Sequence, residues 1–438
     1  MEVNKMKKIF ALLLACLMVL GLFAGCGNNK ADAKGSVYYL NFKPEADAAW
    51  QALAKEYTEL TGVEVKVVTA ASGEYSTTLN AEMGKSDAPT LFQCGNAQGL
   101  LDWDDYCLDL TGTKVLGEMT TSDFNLKNSK GEVKAIGYCY EAFGIIVNTK
   151  LLKEAGYELS AITDYASLKA IVEDIHAKYE AGTLAFDAFA SAGLDGSSSW
   201  RFSGHLANMP LYYEFRDDKI TEQPATIKGT YLNAYKNIWD LYVNNSTWEG
   251  DLSTITGDHS QAQFGTGKAV FWQQGTWEYA NLVGDKYNMN PEDLAMIPIY
   301  TGVEGEANAA LCSGTENCWA VNAKASQADI DATLDFLYWV VTSESGTKMM
   351  AEQFGPIPFK NAKTPDNKFF ADANKLIAEG KYTVTWAFNH TPNVDGWRAG
   401  VVDALLAYTN NPSDETWAAV QTAFVAGWAN HYKIQNGG

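Results

Sequence analysis

The spacing of apolar residues changes twice near the start of the folded chain, and these changes predict a β-α-β unit. Residues 36–42, SVYYLNF, are rich in aromatic and β-branched types and predict a strand. Over 44–62 the apolar residues recur every three or four positions between Pro44 and Gly62, which predicts an amphipathic helix. Its predicted buried face comprises Ala46, Trp50, Leu53, Tyr57 and Leu60. Valines alternate with polar residues from 63 onward, so a second strand is expected, parallel to the first.

The alternation of strand and helix patterns continues through most of the chain. A helix is expected over 75–85, and a third short strand over 88–95. From residue 137 the pattern restarts and predicts a second α/β lobe, with strands near 143–148 and 184–190 and helices near 165–181, 200–213 and 231–244. The remaining predicted elements are strands near 267–275, 293–300 and 317–323, and helices near 276–284, 328–354, 396–407 and 415–428.

Polar residues follow the carboxyl ends of the first three predicted strands. In open α/β sheets, ligands bind beyond these strand ends. The rule selects 41–45, 72–75 and 94–98 as candidate binding segments. Their hydrogen-bonding residues are Asn41, Lys43, Glu45, Glu74, Tyr75, Asn96 and Gln98. Each of these residues could instead be a solvated loop residue or a helix cap. As a converging set they are stronger evidence for a binding site than any one of them alone.

The N-terminal region has the features of an export signal. Lysines at 5, 7 and 8 precede an apolar run over 9–23, which is too short to span a membrane comfortably. Its end, LFAGC, resembles a bacterial lipobox and implies cleavage after residue 25, with a lipid on Cys26. A plain secretory signal with an incidental cysteine is the alternative. Residues 26–35 are small and polar, which suits a flexible tether.

Charge and the distribution of metal-ligating residues exclude two classes of partner. The formal net charge of the chain is −20, and removal of residues 1–25 takes away three lysines and one glutamate, which leaves −22. Nucleic acid is therefore not an expected partner. Five scattered histidines and no CxxC motif predict neither a metal site nor a cofactor. Cys312 and Cys318 could form a disulfide, although buried thiols are the favoured interpretation.

Several segments resemble the extracellular solute-binding proteins of bacterial ABC importers, specifically the oligosaccharide-binding family that includes maltose-binding and multiple-sugar-binding proteins. The resemblance is carried by FGTGKAVFWQQGTW at 264–277 and by the block from ENCWAV to GPIPF at 316–359. TGVEVKV at 61–67 and GIIVNTKLLKEAG at 144–156 fit the same family. It covers nearly all of the chain after the tether.

The resemblance implies a two-lobed periplasmic-binding-protein-like fold of type II, with discontinuous α/β lobes joined by crossing segments. Crossings are expected near Tyr140, near Ile297 and within 312–322. The N-terminal lobe would comprise 36–140 and 298–322, and the C-terminal lobe 141–297 and 323–438. The implied function is that of a monomeric, lipid-anchored protein on the outer membrane face. It would capture a sugar by lobe closure and deliver it to an ABC permease, without being an enzyme.

The resemblance also implies which residues contact the sugar. Trp277 occupies the Gly-x-Trp position that stacks on a sugar in this family, and strand alternation places Trp272 and Gln274 on one face. Further candidates at the crossings and in the later aromatic segments are Glu141, Phe143, Trp200, Glu316, Trp386, Trp397 and Arg398. Flat aromatic rings suit the C–H face of a sugar, and polar side chains suit its hydroxyls.

Two alternatives remain open at this stage. A secreted glycosidase also uses tryptophans and needs two carboxylates, which Glu74, Glu141, Glu278 and Glu316 could nominally supply. A binding protein for peptides or polyamines would require concentrated charge opposite to that of its ligand. The candidate residues are mainly amides and aromatics with few charges, which fits neutral hydroxyls better.

Overall fold

The computed structural model describes residues 34–248 and 250–437, so the predicted signal and Cys26 lie outside the described residues. The described chain forms two mixed six-stranded sheets covered by helices, which confirms the predicted α/β fold with two lobes. We call the first sheet and the elements packed on it the first lobe, and the second sheet and its elements the second lobe.

The strands of the first sheet follow the order β2-β1-β3-β11-β5-β4. The second sheet follows the order β12-β10-β6-β8-β7, with β9 also paired to β6. Strand bounds are β1 Val37–Asn41, β2 Val65–Thr69, β3 Leu91–Gln93, β4 Leu126–Lys127, β5 Val133–Gly137, β6 Glu141–Asn148, β7 Asp187–Phe189, β8 Ala269–Gly275, β9 Leu294–Ile297, β10 Ala309–Gly314, β11 Cys318–Val321 and β12 Tyr382–Thr385.

Helices cover both sheets. Their bounds are α1 Asp47–Thr61, α2 Tyr75–Met83, α3 Ala97–Trp103, α4 Lys114–Gly117, α5 Thr149–Glu154, α6 Tyr165–Glu180, α7 Ala207–Asp218, α8 Leu232–Asn244, α9 Gly257–Gly265, α10 Tyr279–Val283, α11 Gln327–Thr342, α12 Glu344–Phe354, α13 Lys368–Ala378, α14 Val394–Asn410 and α15 Asp414–Gln435. A π-helical turn over Arg201–Leu206 leads directly into α7.

The predicted β-α-β unit is confirmed. β1 and β2 are parallel, with Val37 paired to Val65. Gly62 ends α1 in the left-handed region at φ 70°, and its N–H donates to the Thr58 carbonyl. One residue of the predicted buried face is wrong: Leu60 is 67% exposed, and the buried face of α1 ends at Tyr57.

The centre of the second sheet is the antiparallel pair of β6 and β8. Phe143 is paired with Gly275, and Gly144 with Gln274. Every residue of both strands is buried. The end of β8 therefore lies beside the start of β6, the strand by which the chain enters the second lobe.

The packing differs from the predicted division of the chain after residue 297. β9 pairs with β6, and β10 also belongs to the second sheet, so the chain does not cross near Ile297. It passes from the first lobe to the second over 138–140, returns over 315–317, and passes to the second lobe again over 360–367. Residues 327–359, assigned to the C-terminal lobe, pack in the first lobe instead.

The reason for the different division is the position of α11. Its apolar residues Phe336 and Leu337 share a core with Tyr39 and Trp50 of the first lobe. Phe336 lies 6.5 Å from Trp50 between ring centroids. An apolar helix face predicts that some sheet covers it, but it does not identify which sheet.

The two cysteines that were considered for a disulfide lie in different lobes. Cys312 lies on β10 of the second sheet and Cys318 on β11 of the first, so the considered bridge between them is not formed.

Among the residues that the structure describes, no helix combines the length and apolarity needed to cross a membrane.

Candidate ligand-binding site

The ends of two central strands face each other where the lobes meet, and we call the region around Lys43 and Trp277 the cleft. β1 ends at Asn41 in the first lobe, and β8 ends at Gly275 in the second. Two residues beyond each end, Lys43 and Trp277 meet, with the Lys43 Nζ 4.9 Å from the centroid of the Trp277 ring. The carboxyl ends of β1 and β8 therefore form opposite walls of the cleft.

The position of Trp277 is determined by the two residues that end β8. A Cβ atom added to Gly275 would lie only 2.2 Å from the Trp277 ring, so the indole lies directly against the glycine. The indole Nε1 donates to Gln274 Oε1 at 3.0 Å. Gly275 has an ordinary extended backbone, with φ −122°. Its missing side chain, rather than an unusual backbone conformation, makes room for the ring.

Lys43 is held in the cleft by a buried cluster of polar groups. Its Nζ lies 2.8 Å from Glu141 Oε1 and 3.5 Å from Glu45 Oε1. Glu141 also accepts a 2.6 Å hydrogen bond from Asn317 Nδ2. Asn41 fixes the Lys43 backbone, because its side chain bonds both the N–H and the C=O of Lys43. The cluster joins the first lobe to the start of β6 and to the crossing segment 315–317.

The cluster keeps Lys43 charged. Burial by itself lowers the pKa of Lys43, but the carboxylates of Glu141 and then Glu45 more than offset this, and the pKa is raised above its ordinary value. An ammonium and the carboxylate of Glu141 thus largely neutralise each other within the cleft.

A continuous row of aromatic rings lines the second lobe beside Trp277. Phe143 stacks on His205 with ring centroids 3.8 Å apart and planes 9° apart. His205 lies 5.6 Å from Trp277, and Phe143 lies 5.4 Å from Trp386. Trp200 closes the row at 4.9 Å from His205. Phe143 is 0% exposed and Trp386 7%, so the row is mainly a packing layer around His205 and Trp277 rather than a free surface.

His205 contributes a neutral donor to this row. Burial lowers its pKa well below the ordinary value, and the charges of Arg398 and Arg201 act in the same direction. Its Nδ1 lies 2.9 Å from Gln273 Nε2, a donor, so the proton of the neutral ring is on Nε2. Gln273 lies on β8, so the strand that supports Trp277 also orients His205.

Buried polar atoms with unused hydrogen-bonding capacity lie at the other end of the row. Within the described residues, the buried atoms Gln98 Oε1, Trp386 Nε1, Asn389 Oδ1 and Arg398 Nε have no protein partner. Burial raises the pKa of the Glu316 carboxyl, although Arg398 and Lys43 oppose this. Both donors and acceptors are represented in this group. Unpartnered buried polar atoms are costly, and they commonly mark a binding site.

Two loops close the cleft on one side. Gly73 of the first lobe lies against Gly196 of the second, and a Cβ at Gly73 would be 2.2 Å from the Gly196 carbonyl oxygen. Ser72 Oγ also donates to the Ser197 carbonyl at 3.3 Å. Glu74 is exposed beside this contact. The structure therefore has the two lobes in contact at the rim of the cleft.

Four of the predicted site residues lie elsewhere or have structural partners. Trp272 is fully buried and stacks on Phe264 in an apolar cluster. Trp397 is also buried, and it donates to the Phe424 carbonyl. The other two bond within their own lobe. The Tyr75 hydroxyl accepts from the Gln93 N–H, and Asn96 caps α3 by accepting from the Gly99 N–H.

Sequence patterns do not single out His205 or Gln273 as site residues. A histidine within a helical segment has no recognisable signal, and period-two alternation puts Gln273 on the strand face opposite to Gln274. Arg201 explains part of their positioning, because its buried guanidinium donates to the Gln273 and Ala192 carbonyls at 3.0 and 2.7 Å. The Arg201 guanidinium therefore links β8 to the segment around Ala192 within the second lobe.

Comparison with protein families identifies one match. A family model described as "Bacterial extracellular solute-binding protein" matches residues 52–379, which is most of the chain. The matched range includes β8, Trp277 and all three crossing segments. No curated protein matches the chain in sequence.

Solved structures share the fold over nearly the whole chain. A chitin oligosaccharide binding protein has 16% identity and a TM-score of 0.70, covering 92% of this chain and 98% of its own. The solute-binding protein RafE in complex with raffinose has 16% identity and a TM-score of 0.67, covering 91% and 99%. A sugar transporter from Bacillus licheniformis in complex with stachyose has 17% identity and a TM-score of 0.66, covering 90% and 99%. At these identities the likeness shows the fold.

Proposed function

Since the chain belongs to the bacterial extracellular solute-binding proteins, we propose that it captures an oligosaccharide between its lobes and delivers it to an ABC permease. Proteins of this family are binding receptors rather than enzymes, so the glycosidase alternative is set aside. The observation that carries the sugar proposal is the Trp277 indole. It is supported by Gly275 and Gln274 and directed across the cleft toward the first lobe.

The chemistry of the cleft supports a ligand with an apolar face and a polar rim. The Trp277 ring supplies the apolar face, with Trp200 and His205 packed beside it and the buried Phe143 ring stacked on His205. Aromatic packing of this kind adds about 0.5–1.5 kcal/mol per ring beyond the area buried. A sugar hydroxyl both donates and accepts hydrogen bonds. Sugar hydroxyls can therefore bond the unpartnered donors as well as the unpartnered acceptors around Arg398.

The balance of charge in the cleft favours a neutral ligand over a peptide or polyamine. Lys43 lies between Glu141 and Glu45, and Arg398 and Glu316 contribute one charge of each sign, so these groups carry an excess of only one negative charge. A cleft for a strongly charged ligand would carry an excess of the opposite charge. The oligosaccharides named for three similar structures belong to the neutral class.

Calorimetric titration with a panel of sugars tests this proposal. The panel comprises raffinose, stachyose and chitin oligosaccharides, with a tripeptide and spermidine as ligands of the alternative classes. Saturable heat is expected with at least one oligosaccharide and with neither charged ligand. Binding of the tripeptide or spermidine, without binding of any sugar, would show that the cleft serves another solute.

The proposed capture step is a shift toward a closed state that a sugar stabilises by bridging both lobes. Replacing Gly73 by alanine should oppose closure, because the new methyl group would collide with the Gly196 carbonyl. Overpacking of this kind costs about 1–3 kcal/mol, so affinity should fall roughly tenfold. Small-angle scattering should show compaction of the wild-type protein with saturating sugar and less compaction of Gly73→Ala.

Gly112→Ala is a matched control for this variant. Gly112 has φ 80°, close to the 79° of Gly73, but a Cβ there would meet nothing within 4 Å. It therefore reproduces the backbone cost of the substitution without the contact between lobes. Equal losses of affinity in the two variants would contradict a role for the Gly73 contact.

We further propose that Cys26 carries a lipid that retains the exported protein at the outer face of the cell membrane. The support is the lipobox-like LFAGC followed by a polar tether. In a bacterial host, Cys26→Ser should move the protein from the membrane fraction to the medium and abolish incorporation of labelled fatty acid. Unchanged membrane retention of Cys26→Ser would contradict the anchor while leaving the binding proposal intact.

A further inference from the structure

We propose that Cys94 and Cys107 form a disulfide in the exported protein. Their sulfur atoms are 3.6 Å apart in the interior of the first lobe, and both residues are at least 98% buried. The inference rests on this geometry and on the extracellular location of the family. It does not depend on which solute the cleft binds.

The backbone of each cysteine is attached to the same strand. The Cys94 N–H donates to the Cys318 carbonyl at the start of β11. Cys107 forms an antiparallel bridge with Asn322, immediately after the end of β11. Both cysteines are thus attached through their backbones to the same central strand, one near each end of it.

The distance between the two sulfurs is compatible with bond formation. A disulfide requires an S–S separation of about 2.0 Å, so the sulfurs must approach by roughly 1.5 Å, which small side-chain rotations can supply. The surrounding residues Leu40, Leu79, Phe92, Leu100 and Ala320 are apolar. These neighbours offer no strong hydrogen-bonding group, so each thiol has only the other cysteine as a partner.

Formation of the bond is expected during folding. The two thiols lose two protons and two electrons as the S–S bond forms, and a small-molecule disulfide such as glutathione disulfide takes them up as two thiols. In the folded state the Cys107 thiol and burial raise the pKa of Cys94 well above its ordinary value. Low thiolate content slows exchange after burial, so exchange is fastest in the incompletely folded chain.

The bond would connect both ends of a segment that faces the second lobe. This segment, 94–107, contains α3 and the unpartnered Gln98 side-chain oxygen. A disulfide that closes a loop of this length stabilises a protein mainly by restricting the unfolded chain. The first-lobe wall of the cleft would therefore stay ordered without help from a ligand.

Peptide mapping tests the bond directly. No lysine or arginine lies between Lys85 and Lys114, so trypsin releases both cysteines in one peptide, 86–114. The full chain is exported from a bacterial host, equilibrated with glutathione disulfide, and unfolded in guanidinium with iodoacetamide. The peptide should lack alkyl groups and be two hydrogens lighter than the dithiol, and it should gain two alkyl groups after reduction. Alkylation of both thiols without reduction would overturn the proposal.

Thermal unfolding supplies a second readout. A reductant should lower the melting temperature of the wild-type protein by about 5–10 °C. The same reductant should leave Cys94→Ala unchanged, because that variant has no bond to lose. Cys139→Ala, which removes another fully buried thiol of the first lobe, should retain the wild-type response. An identical response of Cys94→Ala and wild type would also refute the bond.

Discussion

Replacing Trp277 by alanine is expected to weaken oligosaccharide binding about 10- to 100-fold, which corresponds to roughly 1.4–3 kcal/mol. The indole provides the largest apolar surface at the end of β8, and alanine retains none of it. The fold should be preserved, because Trp277 is only partly buried and lies at the edge of the second core. Calorimetry with the best sugar of the panel measures the affinity, and thermal unfolding verifies the fold.

Two further variants separate stacking from general damage to the site. Trp277→Phe keeps an aromatic face but loses the hydrogen bond to Gln274, so it should bind with intermediate affinity. Gly275→Ala leaves Trp277 in the sequence but displaces its ring, because the added methyl would overlap it. Gly400→Ala, where a Cβ meets nothing within 4 Å, is the matched control. Wild-type affinity in a folded Trp277→Ala protein would contradict the sugar-stacking role.

Neutralising Glu141 should have the largest effect on stability. Glu141→Gln leaves the Lys43 ammonium buried without its principal counter-ion, and removal of one partner of a buried pair costs about 3–5 kcal/mol. Chemical unfolding should show this loss in the free energy of unfolding. The double variant Lys43→Met with Glu141→Gln should recover a large part of it, since the buried ammonium is gone and the remaining carboxylate of Glu45 is 21% exposed to solvent.

The exposed pair of Lys55 and Glu59 is the control for this cycle. Its charged atoms are 3.9 Å apart, but the side chains are 77% and 69% exposed. Glu59→Gln should therefore change the free energy of unfolding by less than about 0.5 kcal/mol. If Glu141→Gln were as mild as Glu59→Gln, the Lys43 cluster would not be a stabilising connection between the lobes and the crossings.

The strand β8 shows how far local pattern predicts a site. Period-two alternation places Trp272 and Gln274 on the same side of the strand. In the structure Trp272 stacks on Phe264 within a core, whereas Gln274 holds Trp277 at the strand end. Alternation states which side chains share a face. It contains no information on what covers each part of that face.

The residues of the cleft show the same limit of prediction from local sequence. The rule for strand ends selected Asn41 and Glu45, and the structure places both beside Lys43. Lys43 in turn bonds Glu141, nearly a hundred positions later in the chain. The same rule selected Asn96, which instead caps α3. A polar residue after a strand can serve either purpose, and only its distance from the opposite lobe separates the two.

The sequence alone was sufficient for the properties that depend on neighbouring residues. These are the parallel β-α-β unit, the two-lobed α/β class, and the family, because helix and strand periods and the Gly-x-Trp turn are local patterns. Tertiary structure decided that α11 covers the first sheet and that His205 stacks on Phe143. It also placed Lys43 over the Trp277 ring. These contacts join segments far apart in the chain, and their energies depend on burial and distance, which exist only once both lobes have formed.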